Sequence, residues 1–182
     1  MQFTPLEIRD VVLVTPRVFE DERGFFMESF REDRFIAAGI TAEFVQDNHS
    51  ASSRGVLRGL HYQVQQAQGK LLRCVAGEIF DVAVDLRRSS PTFGRWVSAV
   101  LSAQNKQMLW VPPGFAHGFY VMSERAELLY KASDYYAPQH ERSLLWNDLA
   151  LGIPWPLVDG RPPILSKKDA EGTPLSQAET YE

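Results

Sequence analysis

The chain has 182 residues, 45% hydrophobic and 23% charged, with a formal net charge of -4. That length suits one domain spanning residues 1–182 with a sizeable core, and the composition excludes a disordered chain. The acidic balance argues against general nucleic-acid or anionic-membrane binding, and one cysteine, Cys74, excludes an intrachain disulfide and a cysteine-rich zinc site.

No apolar run approaches the ~20 residues of a membrane helix, and the first residues lack a basic segment followed by an apolar one. A cytoplasmic protein without a signal peptide is therefore expected. In chain order, strands are predicted at Val11–Thr15, Phe25–Phe30, Glu43–His49, Val56–Gln63, Lys70–Ala76 and Ile79–Leu86. Further strands are predicted at Trp96–Leu101, Gln107–Val111, Gly118–Val121 and Glu127–Tyr135. Arg31–Ala38 reads as a helix that stops at Gly39. The proline-rich tail from Ile153 reads as an irregular wrapped segment, preceded by a short helix near Leu149.

The pattern is all-β, a sandwich or barrel with a few short helices. Along Ile79–Leu86, Phe80, Val82, Val84 and Leu86 share one face, and Asp81 and Asp85 lie on the other with Ile79 and Ala83. One apolar and one mixed face suit a barrel whose lumen takes a polar ligand. Val111-Pro112-Pro113-Gly114-Phe115 reads as a turn between two strands.

Polar residues concentrate in Gln46-Asp47-Asn48-His49-Ser50, in Arg58-Gly59-Leu60-His61, at Gly69-Lys70 and at Ala116-His117-Gly118. A His-x-His metal pattern is missing, because Gln63 follows His61 and the next polar anchor is Lys70, whose ammonium only donates. His61 has the residue type of a general base, with Asp47, Asp81, Asp85 and Asp169 all open as its partner; equally, it reads as a strand histidine bonded to backbone. Tyr130 can donate a proton to a carbanion, or simply rest its hydroxyl at the barrel rim. Tyr130 and Tyr136 share strand parity. Lys70, Arg23 and Arg58 are candidates to hold an oxyanion or phosphate. Ideal alternation puts Arg58 and His61 on opposite faces unless Gly59 supports a bulge.

Several stretches together carry a family resemblance. They are DERGFF at 21–26 with Glu28, FVQDNHSASSRGVLRGLHYQ at 44–63, FDVAVD at 80–85, PGFAHGF at 113–119, Tyr130-Lys131, and LSKKD at 165–169. The chain resembles the dTDP-4-dehydrorhamnose 3,5-epimerases over nearly its whole length, which implies a cupin (jelly-roll) fold. Carried across by position, the resemblance makes His61 the base, Asp169 its partner, Tyr130 the acid and Lys70 the group that stabilises the enolate. It places Arg23, Phe26, Glu28, Gln46, Asn48, Arg58, His117, Glu141 and Lys168 around the nucleotide-sugar, with Tyr136 stacked on the thymine. It also implies a homodimer, in which residues such as Arg23 and Glu28 can enter the partner's site. The implied reaction inverts C3 and C5 of a dTDP-4-keto-6-deoxyhexose without metal or redox cofactor. A single-position epimerase or ketoisomerase, and a non-catalytic sugar-nucleotide-binding barrel, are the alternative readings.

Overall fold

Short apolar strands, cut by Gly and Pro, pair here into two antiparallel sheets facing each other. The computed structural model describes residues 1–182. The chain opens with β1 (Gln2–Pro5) and β2 (Val12–Thr15), followed by a ribbon of β3 (Val18–Asp21) and β4 (Gly24–Met27). Helix α1 (Glu32–Ala37) leads to β5 (Gln46–Ser53), β6 (Leu57–Gln63), β7 (Lys70–Ala76) and β8 (Glu78–Asp85). Then come β9 (Trp96–Ser102), β10 (Met108–Val111), β11 (Phe115–Val121), β12 (Arg125–Ala132) and β13 (Glu141–Ser143), with α2 (Lys167–Ala170) in the tail. One sheet has the order β1-β2-β10-β7-β12-β5, the other β13-β6-β11-β8-β9, and β3-β4 stand apart. The result is the all-β jelly-roll of the cupin fold.

Alternation along the strands makes three apolar layers. Between the sheets lie Leu72, Cys74, Ile79, Ala83, Leu109, Phe119 and Leu128 with their neighbours. The outer face of the five-stranded sheet carries Leu57, Leu60, Val82, Val84 and Tyr120, and the C-terminal segment covers it with Leu151, Trp155 and Ala178. A large side chain such as Leu151 contributes about 1.5–3 kcal/mol on burial, so the tail is held by its apolar residues rather than by regular structure. Against the six-stranded sheet, Phe35 of α1 packs with Val14, Leu71 and Trp110. Helix α1 stops where Gly39 takes a φ of 86°.

The strand pattern follows the expected order, with informative differences. β5 starts at Gln46, later than predicted, and runs on through Ser53 because every residue of it registers against β12. β4 ends at Met27, and Phe30 turns away to pack on Phe35 and Phe44. β12 ends at Ala132, so Tyr135 and Tyr136 sit in a loop rather than on the strand. No helix forms near Leu149: residues 146–147 and 149–151 are turns, and the short helices of the tail lie at Val158–Gly160, Lys167–Ala170 and Leu175–Gln177. The short strands β1, β3 and β13, which lack sustained alternation, escape the sequence pattern altogether.

Candidate active site

One break in the ladder decides the site. Where β6 pairs with β11, His61 faces His117 and Arg58 faces Phe119, so three steps on one strand match two on the other. This bulge turns Arg58 and His61 to the same side, which ideal alternation forbids. It needs glycine on both strands. Gly59 has a φ of 131°, and a Cβ there would lie 2.5 Å from the Gly118 Cα. A Cβ on Gly118 would lie 2.7 Å from the Arg58 carbonyl oxygen.

The side chains so aimed meet in a cavity of about 240 Å³ inside the barrel. β6 contributes Arg58 and His61, β7 Lys70 and Leu72, β11 His117 and Phe119, and β12 Tyr130. Ser50 of β5 joins them, and Tyr136, Glu141 and Lys168 complete the wall. Tyr130 and Tyr136 thus share a cavity, one from a strand and one from the loop after it.

Asp169 is the carboxylate that meets His61, and it accepts a hydrogen bond from the ring Nε2. The other three aspartates are engaged elsewhere: Asp47 with Lys131, Asp81 with His117, and Asp85 with Arg87, Ser90 and Thr92. Asp169 is 2% exposed and also accepts from Ser166 Oγ at 2.7 Å and, more weakly, from the Gly59 N–H at 3.4 Å. Burial pushes the Asp169 carboxyl up, but the bonds from His61 and Ser166 prevail and hold it below the usual carboxylate range. An ionised carboxylate only accepts, so the proton of neutral His61 sits on Nε2 and Nδ1 keeps a free lone pair. Burial, joined by the charges of Lys168 and Lys70, holds the His61 imidazole below its ordinary 6.5 despite the opposing pull of Asp169. His61 is therefore neutral and able to accept a proton at pH 7.

Lys70 enters the lumen at the start of β7, after Gly69, where any Cβ would strike Trp110 at 2.4 Å. Its ammonium has no hydrogen bond or ion pair with protein, and burial pushes it down to about 8, against the pull of Glu141 and Asp81. Tyr130 also has a free hydroxyl, shifted upward by burial. At the rim, Glu141 accepts from Lys168 Nζ at 2.7 Å and from the Tyr136 hydroxyl at 2.9 Å. Burial raises the Glu141 carboxyl, yet these two bonds hold it below the ordinary range. Arg58 is steered by Nε donating to Ser52 Oγ at 2.9 Å. The Tyr136 backbone N–H donates to Gln46 Oε1, and Gln46 donates to Asn48 Oδ1. Asn48 lines an adjoining hollow that it shares with Tyr130.

Gln46 and Asn48 lie beside the cavity without lining it, and three further expected residues lie elsewhere on the single chain. Arg23 and Phe26 lie on the exposed β3–β4 ribbon, where Phe26 is 72% exposed. Glu28 lies beside Arg31 and Arg34 near α1. Conversely, sequence reasoning assigned no role to Ser166, though it lies in the LSKKD stretch, nor to the pairing of Asp81 with His117. The strand parity of Asp81 and the short spacing of Ser166 to Asp169 are the signals that could have found them.

A carboxylate-braced imidazole, a tyrosine and an unpaired cation meet in a jelly-roll lumen, and the class is that of the cupin-fold epimerases. The family model described as dTDP-4-dehydrorhamnose 3,5-epimerase matches residues 5–177, and the chain belongs to that family. It is 59% identical over 182 residues to the dTDP-4-dehydrorhamnose 3,5-epimerase of Pseudomonas aeruginosa, covering 100% of this chain and 99% of that protein. The solved dTDP-6-deoxy-D-glucose-3,5-epimerase of Legionella pneumophila, in complex with dTDP-4-keto-L-rhamnose, superposes with a TM-score of 0.94 at 51% identity, over 98% of this chain and 94% of that one. A 3'-monoepimerase of Streptomyces bikiniensis, in complex with dTDP-quinovose, gives a TM-score of 0.87 at 36% identity, over 94% of this chain and 87% of that one.

Proposed function

We propose that the chain inverts C3 and C5 of a dTDP-4-keto-6-deoxyhexose, giving the dTDP-4-keto-L-rhamnose configuration. The observation that carries this reading is the His61–Asp169 pair on the same cavity wall system as Tyr130 and the unpaired Lys70. Both carbons are alpha to the C4 ketone, so losing either proton puts negative charge on the ketone oxygen. His61 removes the proton through Nδ1, and the ionised Asp169 stabilises the imidazolium that forms. The Lys70 ammonium, with no protein anion to satisfy, stabilises the enolate oxygen more than the neutral ketone, which is what lowers the barrier. Tyr130 returns a proton from the opposite face of the ring. The ketone already acidifies the carbons, so no metal or redox cofactor enters this reading, and turnover should survive exhaustive chelation. Activity that is lost on chelation and restored by a divalent metal would contradict it.

Around the reacting ring, His117 and Arg58 hold the sugar and diphosphate, with Lys168 and Glu141 at the rim. Tyr136, 52% exposed with its hydroxyl tied to Glu141, offers a ring face to the thymine, next to Gln46 and Asn48. The exposed Phe26 with Arg23 and Glu28 supports a homodimer in which this part of one protomer reaches the cavity of its partner.

Incubation with dTDP-4-keto-6-deoxy-D-glucose in deuterated water tests the reading. Deuterium is expected at C3 and C5 with inversion at both, read by NMR; no exchange at either carbon would leave only a binding protein. A single-position epimerase is the second reading, favoured by the likeness to the 3'-monoepimerase, and it predicts inversion at C3 alone.

A further inference from the structure

His61 and His117 are register partners on adjacent strands, and each directs Nε2 to a carboxylate: His61 to Asp169, His117 to Asp81. The barrel therefore holds two imidazole–carboxylate pairs side by side, and the reaction as read above uses only one of its acids. Asp81 is 0% exposed and His117 7%. Both Asp81 oxygens lie close to the same ring nitrogen, at 2.9 and 3.0 Å. A carboxylate this deep is costly to bury unless matched. Asp85, on the same strand face, meets that cost as a structural anchor, tied to Arg87, Ser90 and Thr92. Asp81 makes no such bonds. Both its oxygens go to a ring that borders the sugar cavity, and an apolar side chain would fill the same space without the desolvation cost.

We infer that Asp81 is a positioning residue: it holds His117 in the Nε2–H tautomer, so that the ring offers its Nδ1 lone pair to a hydroxyl of the bound keto-sugar. An ionised carboxylate cannot donate, so the ring nitrogen facing it must carry the hydrogen. Nδ1 makes no hydrogen bond with protein and is left for the ligand. The inference rests on the epimerase reading for the identity of that ligand.

The test compares wild type with Asp81→Asn and His117→Ala, singly and combined. An asparagine can turn its N–H toward Nε2, which moves the ring proton to Nδ1 and inverts what the sugar meets. Asp81→Asn should lower kcat/KM about 10- to 100-fold, the range seen when a carboxylate that orients a metal-binding histidine is lost. His117→Ala should lose at least as much, and the double variant no more than His117→Ala, because Asp81 acts through the ring. A merely structural aspartate would give additive losses. Nitrogen-edited NMR of histidine-labelled wild type, without substrate, should show His117 protonated at Nε2 and bare at Nδ1. Additive losses, or a wild-type ring protonated at Nδ1, whether alone or together with Nε2, overturn the inference; if Asp81→Asn does not fold, the wild-type spectrum decides. Should wild type fail to turn over the keto-sugar, the epimerase reading falls, and the spectrum still reports on Asp81.

Discussion

Replacing Lys70 with arginine separates a charge from its titration. The ammonium is unpaired in the lumen, and burial lowers it from 10.5 to about 8. A cationic acid with a depressed pKa loses its proton earlier on the alkaline side. If the enolate oxygen needs that charge, kcat/KM of the free enzyme falls as pH rises through about 8. One unit above that midpoint about a tenth of the molecules remain charged, so the rate should be about tenfold below its plateau, and about 100-fold below it a unit higher. An ordinary lysine would hold the plateau to about pH 10. Tyr130 does not cause this limb, because burial moves its hydroxyl the other way and keeps it protonated throughout. The acid limb belongs to His61 and lies below 6.5. Arginine keeps its charge at every accessible pH, so in Lys70→Arg the alkaline limb should vanish even if the plateau drops. The assay is product formation by NMR, or coupled reduction of the keto-sugar, across the pH range. A wild-type profile flat up to about pH 10, or a limb that stays in place in Lys70→Arg, refutes the assignment.

His61→Ala should cost at least ~10²- to 10⁴-fold in kcat while titration calorimetry finds dTDP binding intact; activity within a few-fold of wild type would remove His61 as the base. Tyr130→Phe should leave deuterium wash-in at C3 and C5 running while inverted product falls, and unchanged epimerisation would remove Tyr130 from the mechanism. Gly59→Ala meets both a φ of 131° and a 2.5 Å approach to the Gly118 backbone. It should lower the melting temperature through at least ~1–3 kcal/mol of strain and disrupt turnover with it, as the bulge that co-aligns Arg58 and His61 gives way.

What could be read from the chain depended on which residues carry a periodic signal. Ile79–Leu86 carries an alternating signal, and all but its last residue fall in the strand Glu78–Asp85, with Asp81 inside the barrel against His117 and Val82 and Val84 outside. The Gly59 bulge was visible only as a conflict between alternation and the need for Arg58 and His61 together; the clash that forces glycine comes from Gly118, on a strand remote in sequence. The partner of His61 was one of four aspartates, and no spacing rule selects between them, because Asp169 arrives on a one-turn helix placed by tertiary packing. The turns mistaken for a helix near Leu149 fail for a similar reason. Local composition there favours a helix, while the apolar contacts of Leu151 and Trp155 fix the path of the chain.

The imidazole and its carboxylate are 108 residues apart in the chain, one on the barrel wall and the other near the end of the tail. That tail is laced on by bridges from Ile164 to Val56, Thr173 to Leu144 and Tyr181 to Arg87, and by the Tyr181 hydroxyl donating to the Gln63 carbonyl. Competence is thus a late event in the life of each molecule. A barrel emerging ahead of Asp169, or one clipped between β13 and Asp169, would keep its histidine but lack the acid that tunes it. Proteolytic cleavage ahead of Asp169 would silence the protein as a point change at the reaction centre does.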